Sequence, residues 1–127
     1  MSFLHGILER LERAPERPLF REARGTTRAG EFRGAVESAR AYLRGAGLRR
    51  GERCALLGPN SAEWAALDLA VMAEGLICVP LYARQAPAEL GAMLRDASPA
   101  LLLCADEALR GAVAPHLPRG LRTALFR

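Results

Sequence analysis

Residues 51–106 read GERCALLGPNSAEWAALDLAVMAEGLICVPLYARQAPAELGAMLRDASPALLLCAD, short apolar runs alternating with longer amphipathic stretches. Cys54, Ala55, Leu56 and Leu57 form a run that is apolar throughout, as in a parallel strand covered on both faces. Gly58 and Pro59 break it. Asn60 is placed to cap a helix over residues 61–75, with Glu63 three positions on to return to the cap amide. That helix is expected to bury Trp64, Leu67 and either Ala70 or Val71, with Glu74 near its end. Residues 76–81 read as a second buried strand. Pro87 suits the first turn of the next helix, whose apolar positions are Leu90, Met93 and Leu94. Residues 100–104 make a third strand. Asp106 then opens a helical stretch through Ala108, Leu109, Val113 and Leu117, and residues 121–126 make a fourth strand.

Successive strand–helix units imply right-handed crossovers and an α/β fold, a mostly parallel sheet with helices on both faces. A doubly wound layout is the expected architecture. Strand order is not legible, because each strand is apolar along its whole length. The 127 residues suit one domain with a sizeable core, divided into a lead-in over residues 1–50 and repeated strand–helix units over 51–127.

In the lead-in, Phe3, Ile7, Leu8 and Leu11 fall along one side of a helix over residues 3–13. Pro15 and Pro18 end it, Leu19 and Phe20 follow as an extended piece, and Gly25 turns the chain back through Thr26 and Thr27 as a small hairpin. A second helix over residues 31–46 carries Phe32, Val36, Ala39 and Leu43 as its apolar stripe. Arg33 with Glu37, and Glu37 with Arg40, are spaced for helix pairs on the other side. Gly45 and Gly47 terminate it.

The formal charge is +4, and all 18 basic side chains are arginine, with no lysine. Phosphate tracking tolerates either residue, so arginine-only usage reads as a compositional habit. Arg49, Arg50 and Arg53 form the densest basic run, but Glu52 sits inside it and no aromatic ladder accompanies it, which argues against nucleic acid. Charges at Glu9, Arg10, Glu12 and Arg13 occupy the place of a signal peptide's apolar run. Asp68, Glu74, Arg84 and Glu89 keep the richest apolar region short of the roughly 18 residues of a membrane span. A cytoplasmic protein without a transmembrane segment is the expectation.

Cys54, Cys78 and Cys104 recur about every 25 residues, one per expected strand. An odd count without CxxC spacing argues against a disulfide framework or a zinc site, and three small buried residues in neighbouring strands is the plainer reading. Gly58, Pro59, Asn60 and Ser61 supply one glycine, no lysine and one residue without an amide donor. They make a structural turn rather than a GxGxxG or P-loop cradle. Ser38, Ser61 and Ser98 lack a GxSxG setting, and His5 and His116 lie near opposite ends. Asp68, Asp96 and Asp106 give no carboxylate pair or magnesium site. Trp64 and Tyr82 could each line a pocket, but Trp64 lies on the helix face with Leu67 and Val71 and reads mainly as core. Tyr82, just past the carboxyl end of a strand, is the better ligand-facing candidate, since open parallel sheets bind ligands at that edge. No residue is assigned as catalytic, cofactor-binding or metal-ligating.

Four places carry a family likeness: Gly51, Glu52 and Arg53 entering a strand; Pro59, Asn60, Ser61, Glu63 and Trp64 opening a helix; Pro80, Leu81 and Tyr82 closing the next strand; and Pro87, Glu89, Leu90, Leu94 and Asp96 in the helix beyond. In this order and spacing the chain resembles the amino-terminal part of adenylate-forming (AMP-binding) enzymes, in their long-chain acyl-CoA synthetase (fatty acid-CoA ligase) branch. The family usually opens the lead-in helix with threonine, an aromatic, then glutamate and a hydrophobic residue. Glu31 and Phe32 fit, while Arg28 and Ala29 depart from the pattern.

The resemblance implies a parent enzyme that joins a fatty carboxylate to the α-phosphate of ATP, releases pyrophosphate, and passes the acyl group to coenzyme A, with Mg2+. The family's glycine-rich loop ending in lysine, its aromatic–threonine–glutamate motif, its ribose-binding aspartate and its carboxyl-terminal lysine have no counterpart here. The chain alone is therefore expected to be inactive, with the remainder of the synthetase as its partner. A standalone interaction or homodimerisation module is one alternative. A flavodoxin-like or Rossmann protein is another, and it requires tight binding of FMN, NAD or ATP.

Overall fold

The computed structural model describes residues 3–126. The domain expected over 1–127 therefore includes Met1, Ser2 and Arg127, which lie outside the described residues. Helix α1 (Phe3–Arg13) leads into β1 (Pro18–Glu22) and β2 (Gly25–Arg28), then α2 (Ala29–Gly45). The repeated part follows as β3 (Arg53–Leu57), α3 (Ala62–Ala73), β4 (Ile77–Leu81), α4 (Pro87–Ala97), β5 (Leu101–Cys104), α5 (Glu107–Val113), a 3-10 turn (Ala114–His116) and β6 (Arg122–Leu125).

The main sheet runs β4-β3-β5-β6 with every neighbour parallel. The chain steps outward from β3 to β4, then crosses back over β3 to reach β5, so the winding direction reverses between β3 and β5. Side chains therefore alternate between two apolar layers. Cys54 and Leu56 of β3 and Leu101 and Leu103 of β5 pack with α1, α2 and α3; Ala55, Leu57, Leu102 and Cys104 pack with Leu90 and Leu94 of α4 and Val113 of α5. This is the expected α/β sheet with helices on both faces.

Sheet position accounts for one departure from the sequence reading. The second strand was expected to be buried, yet β4 is an edge: Ile77 is 48% exposed and Pro80 is exposed. An apolar run cannot signal that it borders solvent, but Pro80 was a clue, since proline is confined to positions that owe no ladder bond. The Ile77 amide donates to the Glu52 carbonyl, which turns the odd-numbered groups of β4 towards β3 and Pro80 away from it. At the far side, the Phe126 amide donates to the Cys104 carbonyl.

The lead-in packs as expected, with a few differences. β1 and β2 form the antiparallel hairpin around Gly25, whose φ of 133° only glycine adopts freely. Phe20 reaches Phe32 of α2 with ring centroids 5.1 Å apart. Phe3 is 69% exposed rather than on the packed side, and Leu11 is the buried anchor of α1. Arg33 pairs with Glu12 of α1 at 3.7 Å instead of Glu37, whereas Glu37 and Arg40 do pair, at 3.8 Å. At the start of α2, Arg28 has no acceptor to offer, so only the reciprocal half of a capping box forms, the Arg28 amide donating to Glu31 Oε1 at 3.0 Å. The tie between α2 and α3 is Glu74, whose Oε2 accepts from Arg40 Nε at 2.7 Å and Arg44 Nη1 at 2.9 Å.

On the other face, Met93 is 39% exposed and α4 instead brings Gly91 against the 3-10 turn. The expected helix running on to Leu117 stops at Val113, because Pro115 cannot donate within a continuing α-helix. Its start is as read: Asp106 Oδ1 accepts from the Leu109 amide at 2.9 Å.

Candidate functional site

The carboxyl ends of β3 and β4 open onto a groove of about 500 Å³ lined by Gly58, Pro59, Asn60, Trp64, Pro80, Leu81, Tyr82, Ala83 and Arg84. It sits where parallel α/β sheets hold ligands, outside the strand ends. Tyr82, the residue singled out for this edge, is 77% exposed and forms one wall. Trp64 forms another, so both roles weighed for it from the sequence are partly met. It was expected mainly in the core with Leu67 and Val71; those two are buried, while Trp64 is half-buried, touching the core with part of its ring and the groove with the rest. The reason is position: Trp64 stands in the first turn of α3, next to the turn at which β3 opens onto the groove. Arg84 was not anticipated as a lining residue. Its signal was its place two residues past Tyr82, on the loop that leaves β4.

The turn into α3 is tight. A Cβ added at Gly58 would lie 2.8 Å from the Ala105 Cβ and 3.0 Å from Phe126 Cζ, so glycine lets β3 leave the sheet beside β5. The helix cap is Ser61, not Asn60: Ser61 is extended and its Oγ accepts from the Trp64 amide at 3.1 Å. Moving the cap by one residue places Glu63 at the second helical position. It cannot reach back to the cap amide and instead pairs with Arg24 of the hairpin turn.

Several donors at this turn are already used. The Ala62 amide donates to Glu22 Oε1 at 3.4 Å, the Trp64 amide to Ser61 Oγ, the Ala65 amide to the Ser61 carbonyl, and Pro59 has none. Among the described residues no group of three His, Cys, Asp or Glu side chains could hold a metal ion. No chemical step is assigned to the residues of this groove, which place two aromatic walls and few polar groups together. Arg84 and Asn60 are the polar groups beside two aromatic walls, an arrangement suited to holding part of a ligand rather than reacting with it. Trp64→Ala should thus cost about 1–2 kcal/mol, below the roughly 3–5 of a fully packed aromatic. Urea denaturation of the variant checks this, and a loss above about 3 kcal/mol would return Trp64 to the core.

The three thiols lie in adjacent strands as expected, unbonded; Cys54 and Cys104 are buried and Cys78 is half-buried. Burial pushes Cys54 up to about 12 and Cys104 up to about 11. Below pH 9 the thiols keep their protons folded or unfolded and add no pH dependence. Above it the unfolded chain releases protons that the folded chain retains, so stability falls as pH rises from about 9 towards 12, by at most about 1.4 kcal/mol per unit for each thiol. Denaturation midpoints between pH 8 and 11 should decline less steeply in Cys54→Ala than in the parent; equal slopes would count against this origin.

A sequence profile of the AMP-binding enzyme family matches residues 7–124, spanning the hairpin, the sheet and the groove. The chain belongs to the AMP-binding enzyme family. Among curated proteins, this AMP-binding chain is 40% identical over 95 residues to a putative 4-coumarate--CoA ligase-like 8 of Oryza sativa subsp. japonica, covering 72% of the chain and 15% of that protein. It is 48% identical over 40 residues to long chain acyl-CoA synthetase 5 of Arabidopsis thaliana, covering 32% and 6%. Among solved structures, VinN with 3-methylaspartate superposes with a TM-score of 0.87 at 26% identity, over 96% of this chain and 34% of that one. IdnL1 superposes at 0.85 with 31% identity, over 98% and 24%. The chain thus spans only a minor part of these relatives, and the fold is that of the amino-terminal domain of adenylate-forming enzymes. Among the described residues no helix is long and apolar enough to cross a membrane.

Proposed function

We propose that this chain is the amino-terminal structural part of an ATP-dependent long-chain fatty acid-CoA ligase, and that it supplies one wall of the parent's ligand-binding region while the remainder of the synthetase supplies the chemistry. The observation that carries this reading is the family match over residues 7–124 together with the groove at the strand ends, whose Trp64 and Tyr82 offer apolar surface but no reactive pair. The long-chain branch is favoured by the likeness to the Arabidopsis long chain acyl-CoA synthetase at 48% over the 40 residues aligned. In this reading the parent activates a fatty carboxylate as its adenylate and transfers it to coenzyme A, with ATP and Mg2+ handled by residues outside this chain. Stabilising charge on moving phosphates requires cations, metals or free amides; at this turn the Ala62 and Trp64 amides are taken by Glu22 and Ser61, and Arg84 is the cation lining the groove.

ATP–pyrophosphate exchange tests it. The 127-residue chain alone should give no fatty-acid-dependent exchange, and the parent-length enzyme should give exchange that rises with acyl length. Exchange that copurifies with the isolated chain, or a parent enzyme that prefers aromatic or amino acids, would overturn the respective halves of the proposal. The exposed Ile77, Tyr82 and Leu125 favour a second reading, a self-associating module. Light scattering on the purified chain would support it by showing a dimer and count against it by showing a monomer.

A further inference from the structure

Cys54 of β3 and Cys78 of β4 are direct partners in the parallel ladder. In-register neighbours project from the same face, and both residues pack against the apolar layer under α2 and α3. Adjacent strands lie about 4.7–4.9 Å apart, within the roughly 4.4–6.8 Å Cα separation that disulfides span. Parallel Cβ directions keep the two Cβ atoms near that strand spacing, somewhat wider than the about 3.5–4.5 Å usual in a bridge, so a bond here would be strained and easily reduced. The two thiols also differ in access. Cys78 is on the solvent-bordering strand and half-buried, its thiol held protonated by burial and by Asp68 of α3, whereas Cys54 is fully enclosed behind it. Cys104 faces the opposite layer and cannot compete.

We propose that Cys54 and Cys78 form a reversible cross-strand disulfide when the chain meets a low-molecular-weight disulfide such as oxidised glutathione. The accessible Cys78 sulfur gives up its proton, attacks the glutathione disulfide and breaks that bond, releasing one glutathione thiolate. The Cys54 sulfur, deprotonated in turn, attacks the Cys78 sulfur and releases the second. Two protein thiols are oxidised, one glutathione disulfide is reduced to two thiols, and these take up the two protons. Burial, and for Cys78 also the Asp68 carboxylate, holds both protein thiols protonated, so exchange is slow near neutrality and quickens with pH. The bond draws the amino half of β4 towards β3. The same strand carries Tyr82 into the groove, so the groove wall would register the oxidation.

The test is to hold the native 127-residue chain in oxidised glutathione, alkylate, and map the peptides. The free-thiol titre should fall from three to one, with Cys54 and Cys78 recovered in one linked peptide pair, restored by dithiothreitol. The link should persist in Cys104→Ala, which keeps both partners and removes the third thiol. Glutathione remaining on Cys78 alone, a link through Cys104, a link between chains, or three unchanged thiols under conditions that oxidise the denatured chain would each overturn the proposal.

Discussion

Leu102→Ala should lower the unfolding free energy of the chain by about 3–5 kcal/mol, the upper part of the range for deleting a buried leucine side chain. Leu102 is fully enclosed in β5, an interior strand, where its side chain meets the layer formed by Leu90 and Leu94 of α4 and Val113 of α5. Its ladder neighbours are Ala55 and Thr123, so the sheet offers no large side chain that could swing into the vacated space. A domain of this size is stable by only about 5–15 kcal/mol, so the variant should approach the edge of folding. Guanidinium denaturation should show a lower midpoint with an unchanged slope. Leu125→Ala, at a position 39% exposed on the outermost strand, should cost under about 1 kcal/mol in the same assay. Similar losses at the two sites would mean that the sheet is not packed as described.

Gly91→Ala should destabilise by about 1–3 kcal/mol although alanine is the better helix former. A Cβ at this position would lie 2.4 Å from the His116 carbonyl oxygen and 2.7 Å from the His116 Cβ. The carbonyl is backbone, so relief requires α4 or the 3-10 turn to move, and Arg95 Nη1 already ties the two by donating to that carbonyl at 3.1 Å. Gly34→Ala is the matched comparison. It also replaces a mid-helix glycine, but an added Cβ there meets nothing within 4 Å, so alanine should stabilise by about 0.5–1 kcal/mol. Opposite signs from one substitution type isolate the close approach from helix propensity; equal signs would refute it.

What could be read from the chain divides along physical lines. Elements set by local chemistry were legible: α1 ends where its apolar side does, Asp106 caps α5, Pro87 opens α4, and Gly25 turns the hairpin. Choices between adjacent competent groups were not. Asn60 and Ser61 can each cap a helix, and the decision for Ser61 follows from how Gly58 must leave the sheet against Ala105 and Phe126, a contact between segments far apart in sequence. Likewise Ile77 and Val79 look like interior residues, and only the reversal of winding between β3 and β5 puts their strand at the border. The candidate site was half legible. Tyr82 was placed by its position after a strand and Trp64 was weighed for a pocket but read mainly as core, whereas Arg84 joined them through the spatial neighbourhood of β3 and β4, which needs the strand order first.

That strand order also gives the sheet a direction of growth. On β4 the outward backbone groups belong to Cys78 and Pro80, and Pro80 has no N–H to offer, so an approaching strand would find a broken row of donors. On β6 the bond from the Phe126 amide to Cys104 turns Thr123 and Leu125 outward, leaving consecutive outward-facing donors and acceptors uninterrupted by proline. Any polypeptide that lengthens this sheet, whether its own continuation or a misdirected stranger during folding, is therefore steered to one end. Lengthening is polar, like a zip with a stop sewn at one side only.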